Sequence, residues 1–150
     1  MLKETIQDIS SFGGNPIYFA TAFFFLITQK FAQLWTLAIM LVIAYLVTMA
    51  IRFTFWEERP DHQKYKTAWE KFDSGGFPSL HAARAAMLAL AVMFYFNNII
   101  ATIVLAAGVA TTAYARVWLK RHHPRDVIAG IIIGAIIYFA TAKFIIPLIF

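Results

Sequence analysis

Apolar residues fall in long runs separated by short polar clusters, and these runs set the expected architecture. Residues 17–27 form the first run, 34–53 the second, about 79–95 the third, 99 to about 119 the fourth and 127–150 the fifth. Each reads as a membrane helix, although the first is short for a crossing that needs about 20 residues. Gly13, Gly14, Asn15 and Pro16 break the chain ahead of the first run. Gln29, Lys30 and Gln33 interrupt the apolar sequence before the second, which predicts a tight reversal near Lys30. Asn97 and Asn98 supply the turn between the third and the fourth.

Two other segments have helical spacing with a polar face. Leu2, Ile6, Ile9 and Phe12 alternate with Lys3, Glu4, Gln7 and Asp8, as in an amphipathic helix lying on a membrane. Tyr65, Trp69 and Phe72 repeat opposite Lys64, Lys66, Glu70 and Lys71 inside the long polar segment from Glu57 to Gly76. That segment reads equally as an interfacial cover over a headgroup site or as a solvated connection. The expected fold is therefore an all-α integral membrane bundle of about five transmembrane helices plus short interfacial helices, forming a single membrane-embedded domain over residues 1–150.

Composition narrows the partners. The chain is 61% hydrophobic and 14% charged, and a charge at a bilayer centre costs roughly 2.5 to 3.5 kcal/mol, so its few charges should mark interfaces or function. The net charge of +5 sits between apolar spans rather than along a soluble face, which favours anionic lipid headgroups over nucleic acid. There is no cysteine, hence neither disulfide framework nor thiolate chemistry. Four histidines without metal-ligand spacing make a poor ligand set, so neither metal nor cofactor is expected.

Counting crossings brings the N-terminus, the end of the second helix, the start of the third, the end of the fourth and the start of the fifth to one side. The polar residues from Arg52 to Asp73 and from Arg116 to Asp126 meet there although they are far apart in sequence. Arg52 and Arg59 are seven apart, so a second helix continuing through Glu58 would project both from one face. Guanidinium suits phosphate oxygens because its planar fork donates two parallel hydrogen bonds and keeps its charge. Ser79 stands at the N-cap of the third helix and His81 in its first turn, where a helix N-terminus attracts phosphate and an imidazole can protonate a leaving oxygen. His122 and Asp126 are spaced i, i+4, so the carboxylate can fix the tautomer of an imidazole nucleophile beside Arg116. His123 is the alternative nucleophile, with i, i+3 spacing to Asp126. Read singly, the arginines are snorkelling anchors, Ser79 a cap and His81 an interfacial histidine. Arg84 is either an interfacial anchor or a fourth cation reaching the same pocket. Gly130 and Gly134, with Ala82, Ala85, Ala86 and Ala89, read as close-packing faces.

Together these clusters resemble the type 2 phosphatidic acid phosphatase family of lipid phosphate phosphatases, whose motifs run K-x6-R-P, P-S-G-H and S-R-x5-H-x3-D. Here they stand as R-x6-R-P from Arg52 to Pro60, P-S-L-H from Pro78 to His81, and A-R-x5-H-x3-D from Ala115 to Asp126. Arg52 replaces lysine, Leu80 replaces glycine and Ala115 replaces serine. The resemblance implies hydrolysis of the terminal phosphate of a membrane lipid, such as an isoprenyl diphosphate, phosphatidylglycerophosphate or phosphatidate, without a metal. By the same analogy His122 attacks phosphorus, His81 protonates the leaving oxygen, Asp126 holds His122, and water then cleaves the phosphohistidine. Arg52, Arg59, Arg116, the Ser79 hydroxyl and the amide of Leu80 would hold the phosphate. The P-S-L-H variant also looks like that of inositol phosphorylceramide synthases, so a lipid phosphotransferase is the alternative enzyme. A catalytically silent headgroup-binding protein is the third reading, against which stands the retention of His81, His122 and Asp126. The positive-inside rule applied to Lys3, Lys64, Lys66, Lys71, Lys120, Arg121 and Arg125 would put that face in the cytoplasm. Cations that bind substrate do not set topology, so the expectation follows the family's usual orientation, with the site and the N-terminus outside the cytoplasm.

Overall fold

The computed structural model describes residues 10–60, 66–67, 70–71 and 74–150. The amphipathic segment 2–9 and the aromatic positions 65, 69 and 72 lie outside the described residues. Five α-helices follow a 3-10 turn at Ser10–Gly13: α1 (Asn15–Ile27), α2 (Phe31–Thr54), α3 (Leu80–Phe96), α4 (Ile99–Trp118) and α5 (Pro124–Ala140). A short π-helical stretch (Thr141–Ile145) and a 3-10 turn (Ile146–Leu148) prolong α5.

Three of these reach spanning length: α2 with 24 residues, α4 with 20, and α5 with its extension, 25 residues from Pro124 to Leu148. At 1.5 Å per residue the 13 residues of α1 cover only about 20 Å of a hydrocarbon core about 30 Å thick. α3, with 17 residues, is also short. From Ala82 to Ala89 every residue is buried, so α3 is the central helix and the others surround it.

The bundle packs small residues inside and large apolar ones outside. Phe23, Val42, Leu46, Ile103, Ile132, Ile136 and Phe139 are exposed, whereas alanines fill the faces of α3. That inversion suits a lipid solvent, where close backbone approach rather than water exclusion drives helix association. α5 approaches α3 through Gly130 and Gly134. A Cβ on Gly130 would stand 2.4 Å from the Ser79 carbonyl oxygen, and one on Gly134 2.4 Å from that of Ala83, so only glycine permits this contact. Elsewhere Tyr18 in α1 donates to the Leu37 carbonyl of α2 at 2.8 Å, and Phe25 meets Tyr95 edge-on at 5.1 Å.

The predicted turns are both present. Gln29 takes a left-handed φ of 57° ahead of Lys30. Asn97 closes α3 in the left-handed region (φ 46°, ψ 46°), and the Asn98 side chain caps α4 by accepting from the Ile100 and Ala101 amides.

Candidate active site

α2 buries the stripe Leu37, Met40, Ala44, Thr48 and Arg52, a three-and-four spacing that carries Arg52 inward at the helix end. Its guanidinium donates to the Pro78 carbonyl at 3.1 Å. The expectation of a helix running through Glu58 is corrected here. α2 ends at Thr54, and Arg59 is buried from an extended segment. Pro60 disfavours helical backbone at Arg59, and Glu58 pairs instead with Gly75 in an antiparallel bridge. The Gly76 amide completes that pairing by donating to the Glu57 carbonyl at 2.8 Å.

Ser79 caps α3, its hydroxyl accepting from the Ala82 amide at 3.4 Å while its own amide donates to the Asp126 carbonyl at 3.0 Å. It is fully buried, and it does not line the cavity described below, whereas Leu80, His81 and Arg84 do. At the end of α4 the chain reverses through Lys120 at φ 55°, and the Arg121 and His122 amides both donate to the Arg116 carbonyl.

His122 is 3% exposed, and its Nδ1 lies 2.6 Å from the Gly76 carbonyl. A carbonyl only accepts, so Nδ1 carries the proton and Nε2 keeps the lone pair. The nearest Asp126 oxygen stands 3.9 Å from Nδ1, beyond hydrogen-bond reach. The expected His122–Asp126 hydrogen bond is therefore replaced by a backbone one. Asp126 is buried and accepts from the His123 amide at 2.7 Å, capping α5. His123 is exposed, which leaves His122 as the inward imidazole of the pair. Burial first, then the guanidiniums of Arg116 and Arg59, push the pKa of His122 down from 6.5 to about 3, against the opposing pull of the Gly76 carbonyl. The free site therefore presents a neutral imidazole.

Arg52, Arg59, Leu80, His81, Arg84, Arg116 and His122 line one cavity of about 280 Å3 with Asn15 and Tyr45. Two residues absent from the sequence-based set belong here. Arg84 donates to the Asn15 side-chain oxygen and, at 3.4 Å, to the Tyr45 hydroxyl. The one tyrosine of α2, seven residues before Arg52, and an asparagine opening α1 were the available signals. The Gly76 carbonyl carried no side-chain signal. Arg84 also approaches His81 Nδ1 at 3.4 Å. Among the described residues no group of three or more His, Asp or Glu is placed to hold a metal ion. The arrangement offers a neutral nucleophile, a second imidazole and four fixed cations, a set suited to an anionic tetrahedral centre.

Residues 33–148 match the PAP2 superfamily. A lipid A 4'-phosphatase of Bacteroides thetaiotaomicron is 36% identical over 72 residues, which cover 45% of this chain and 32% of that protein. The match thus spans about a third of the curated relative's length. The crystal structure of Aquifex aeolicus LpxE has the same fold, with a TM-score of 0.79 at 20% identity over 95% of this chain and 86% of that one.

Proposed function

The chain belongs to the PAP2 superfamily, and from that premise we propose that it is a membrane phosphatase that removes the terminal phosphate of a lipid through His122. The observation that carries this reading is the convergence of Arg52, Arg59, His81, Arg116 and His122, from separate parts of the sequence, on one cavity. Headgroup binding alone needs the guanidiniums but not a buried imidazole held with its Nε2 lone pair available.

In the proposed reaction His122 Nε2 attacks phosphorus and the bond to the leaving oxygen breaks. Arg52, Arg59 and Arg116 neutralise the equatorial oxygens as charge redistributes, and they do so without reorganising because they are already fixed. His81 donates toward the leaving oxygen. Water then displaces His122 from the phosphohistidine. Asp126 holds the start of α5, and its buried carboxylate, 3.9 Å from the His122 ring, offsets the positive charge that develops there. The lipid tail fits an apolar groove of about 390 Å3 between α1, α3 and α4, lined by Phe12, Ile17, Ala20, Phe24, Leu88 and Val92. Ile17 is two residues from Asn15 of the catalytic cavity, so head and tail sites adjoin.

Phosphate release by the purified protein in detergent tests the reading, with isoprenyl diphosphate, phosphatidate and phosphatidylglycerophosphate compared in the presence of chelator. Turnover should persist in chelator, because guanidiniums supply the positive charge, and should fall by at least about 10³-fold in His122→Ala. Absence of release from all three by folded protein would favour a silent headgroup binder. Transfer of the phosphoryl group to an added alcohol in place of water would favour the phosphotransferase.

A further inference from the structure

We propose that Arg125 and Glu57 form a positioning clasp that holds Arg59 and the Gly76 carbonyl in place around the phosphate, although neither clasp residue lines the cavity; the inference rests on the phosphatase reading above. Both fall at unspecified positions of the motifs, Glu57 between Arg52 and Arg59 and Arg125 between His122 and Asp126. Arg125 Nη2 donates to the two Glu57 carboxylate oxygens at 3.0 and 2.9 Å, and its Nε is 3.6 Å from Asp126 Oδ1. One guanidinium thus joins the start of α5 to the segment that follows α2, 68 residues away.

The two sides of the clasp differ. α5 is the fixed side, because its first turn is tied to α3 by the Ser79 amide, which donates to the Asp126 carbonyl at 3.0 Å. The segment after α2 is the side that needs holding. The Phe55 amide makes the closing helical bond to the Ile51 carbonyl, and beyond it the backbone leaves the helix. Glu57 fastens this segment in two directions: its carbonyl accepts from the Gly76 amide at 2.8 Å and its carboxylate meets Arg125. Two functional groups are set from there. Arg59, two residues on, is buried and enters the cavity, and the Gly76 carbonyl lies 2.6 Å from His122 Nδ1. A Cβ on Gly76 would stand 3.0 Å from the Glu58 carbonyl oxygen, so the two segments are close enough that displacing one displaces the other.

The strength of the pair sets the size of the effect. The Arg125 side chain is 66% exposed and that of Glu57 40%, so the pair adds little to the stability of the whole bundle. Its effect is local. Opening the clasp lets Arg59 and Gly76 leave the positions in which phosphate is held, and the rate falls with the fraction of molecules correctly assembled. An exposed ion pair shifts such a population by up to about fivefold, and salt screens it.

The test compares the wild type with Glu57→Gln, Arg125→Gln, the two changes together, and Arg125→Lys in detergent micelles. Turnover of the three lipids named above is measured beside binding of inorganic phosphate, followed by 31P line broadening. Each single change should lower kcat/KM by about three- to fivefold and weaken phosphate binding by a similar factor, with melting temperatures close to the wild type. The double variant should be no worse than Arg125→Gln alone, because one clasp can be opened only once. Arg125→Lys should recover most of the loss, and the wild-type advantage should shrink at high salt, a response that loss of a packing contact would not give. Losses that multiply in the double variant, an advantage that survives high salt, or turnover equal to the wild type in both single variants would overturn the clasp and leave the phosphatase reading intact. Weaker phosphate binding by the variants, with no turnover even by the wild type, would keep the clasp and overturn the phosphatase reading. A wild type that neither binds phosphate nor turns over lipid would overturn both.

Discussion

The two ends of the bundle are built by different rules. At the end away from the cavity the connections are short and satisfy themselves. Gln29 and Asn97 adopt left-handed backbone, the Lys30 amide returns to the Phe25 carbonyl at 2.8 Å, and Asn98 caps its own helix. At the cavity end the partners are distant in sequence. His122 bonds to Gly76, 46 residues away, Arg84 to Asn15, 69 away, and Arg125 pairs with Glu57, 68 away. One end closes the helices; the other exists only once the helices are packed. The cavity is thereby made to depend on how closely the helices beside it pack.

The largest expected effect follows from breaking that dependence. In Gly130→Val a branched side chain would press on the Ser79 carbonyl, where even a Cβ stands 2.4 Å away. α5 would have to separate from α3, taking Asp126 away from Ser79 and the start of α3. Overpacking of this kind costs about 1–3 kcal/mol or more. The variant should melt well below the wild type in detergent and lose most phosphatase activity. A wild-type melting curve with full turnover would show that the cavity end assembles without that contact.

A smaller and more local effect is expected from Asp126→Asn. The amide oxygen can still cap α5, and the Gly76 carbonyl still holds His122 Nδ1, so the tautomer should survive while the carboxylate's charge is lost. Turnover should fall by roughly 10- to 100-fold, less than for His122→Ala. The imidazole resonances of His122 report the difference. In both proteins, free of phosphate, they should show a neutral Nδ1–H ring from pH 7.5 down to pH 5, because the folded pKa lies near 3. The sign carries over to stability. Between 6.5 and about 3 the unfolded chain binds a proton that the folded one does not, so His122 lowers stability as the pH falls through that window. Titration of His122 near 6.5, or a switch to Nε2–H in the variant, would remove the role given to Gly76.

The same contrast explains what was legible in the sequence. Both tight turns, all five helix starts and four of the five helix C-termini could be placed within about three residues, because apolar runs and asparagine turns are local signals. The motif spacings brought Arg52, Arg59, His81, Arg116 and His122 to one site. Spacing alone misled at Arg59, which reaches the cavity through the Glu58–Gly75 bridge rather than along a helix. It misled again at Asp126, where i, i+4 placement brings the carboxylate only to 3.9 Å. Gly76 acts through a backbone carbonyl, which no residue type encodes. Asn15 was legible as a break in the chain but not as a partner of Arg84, a contact that depends on how α1 packs.

The smallest expected effect lies at the closing end and serves as the control for the comparison. Asn98 accepts from the Ile100 amide at 2.9 Å and the Ala101 amide at 3.2 Å, leaving two first-turn donors of α4 without that acceptor when it is removed. Loss of such a cap costs about 1 kcal/mol, and the exposed position lets water replace part of it. Asn98→Ala should therefore lower the melting temperature slightly and leave kcat/KM for the lipid substrate unchanged, since no cavity residue touches this turn. A loss of turnover out of proportion to the stability change would mean that strain at one end of α4 reaches Arg116 at the other, and the two ends would then have to be treated as coupled.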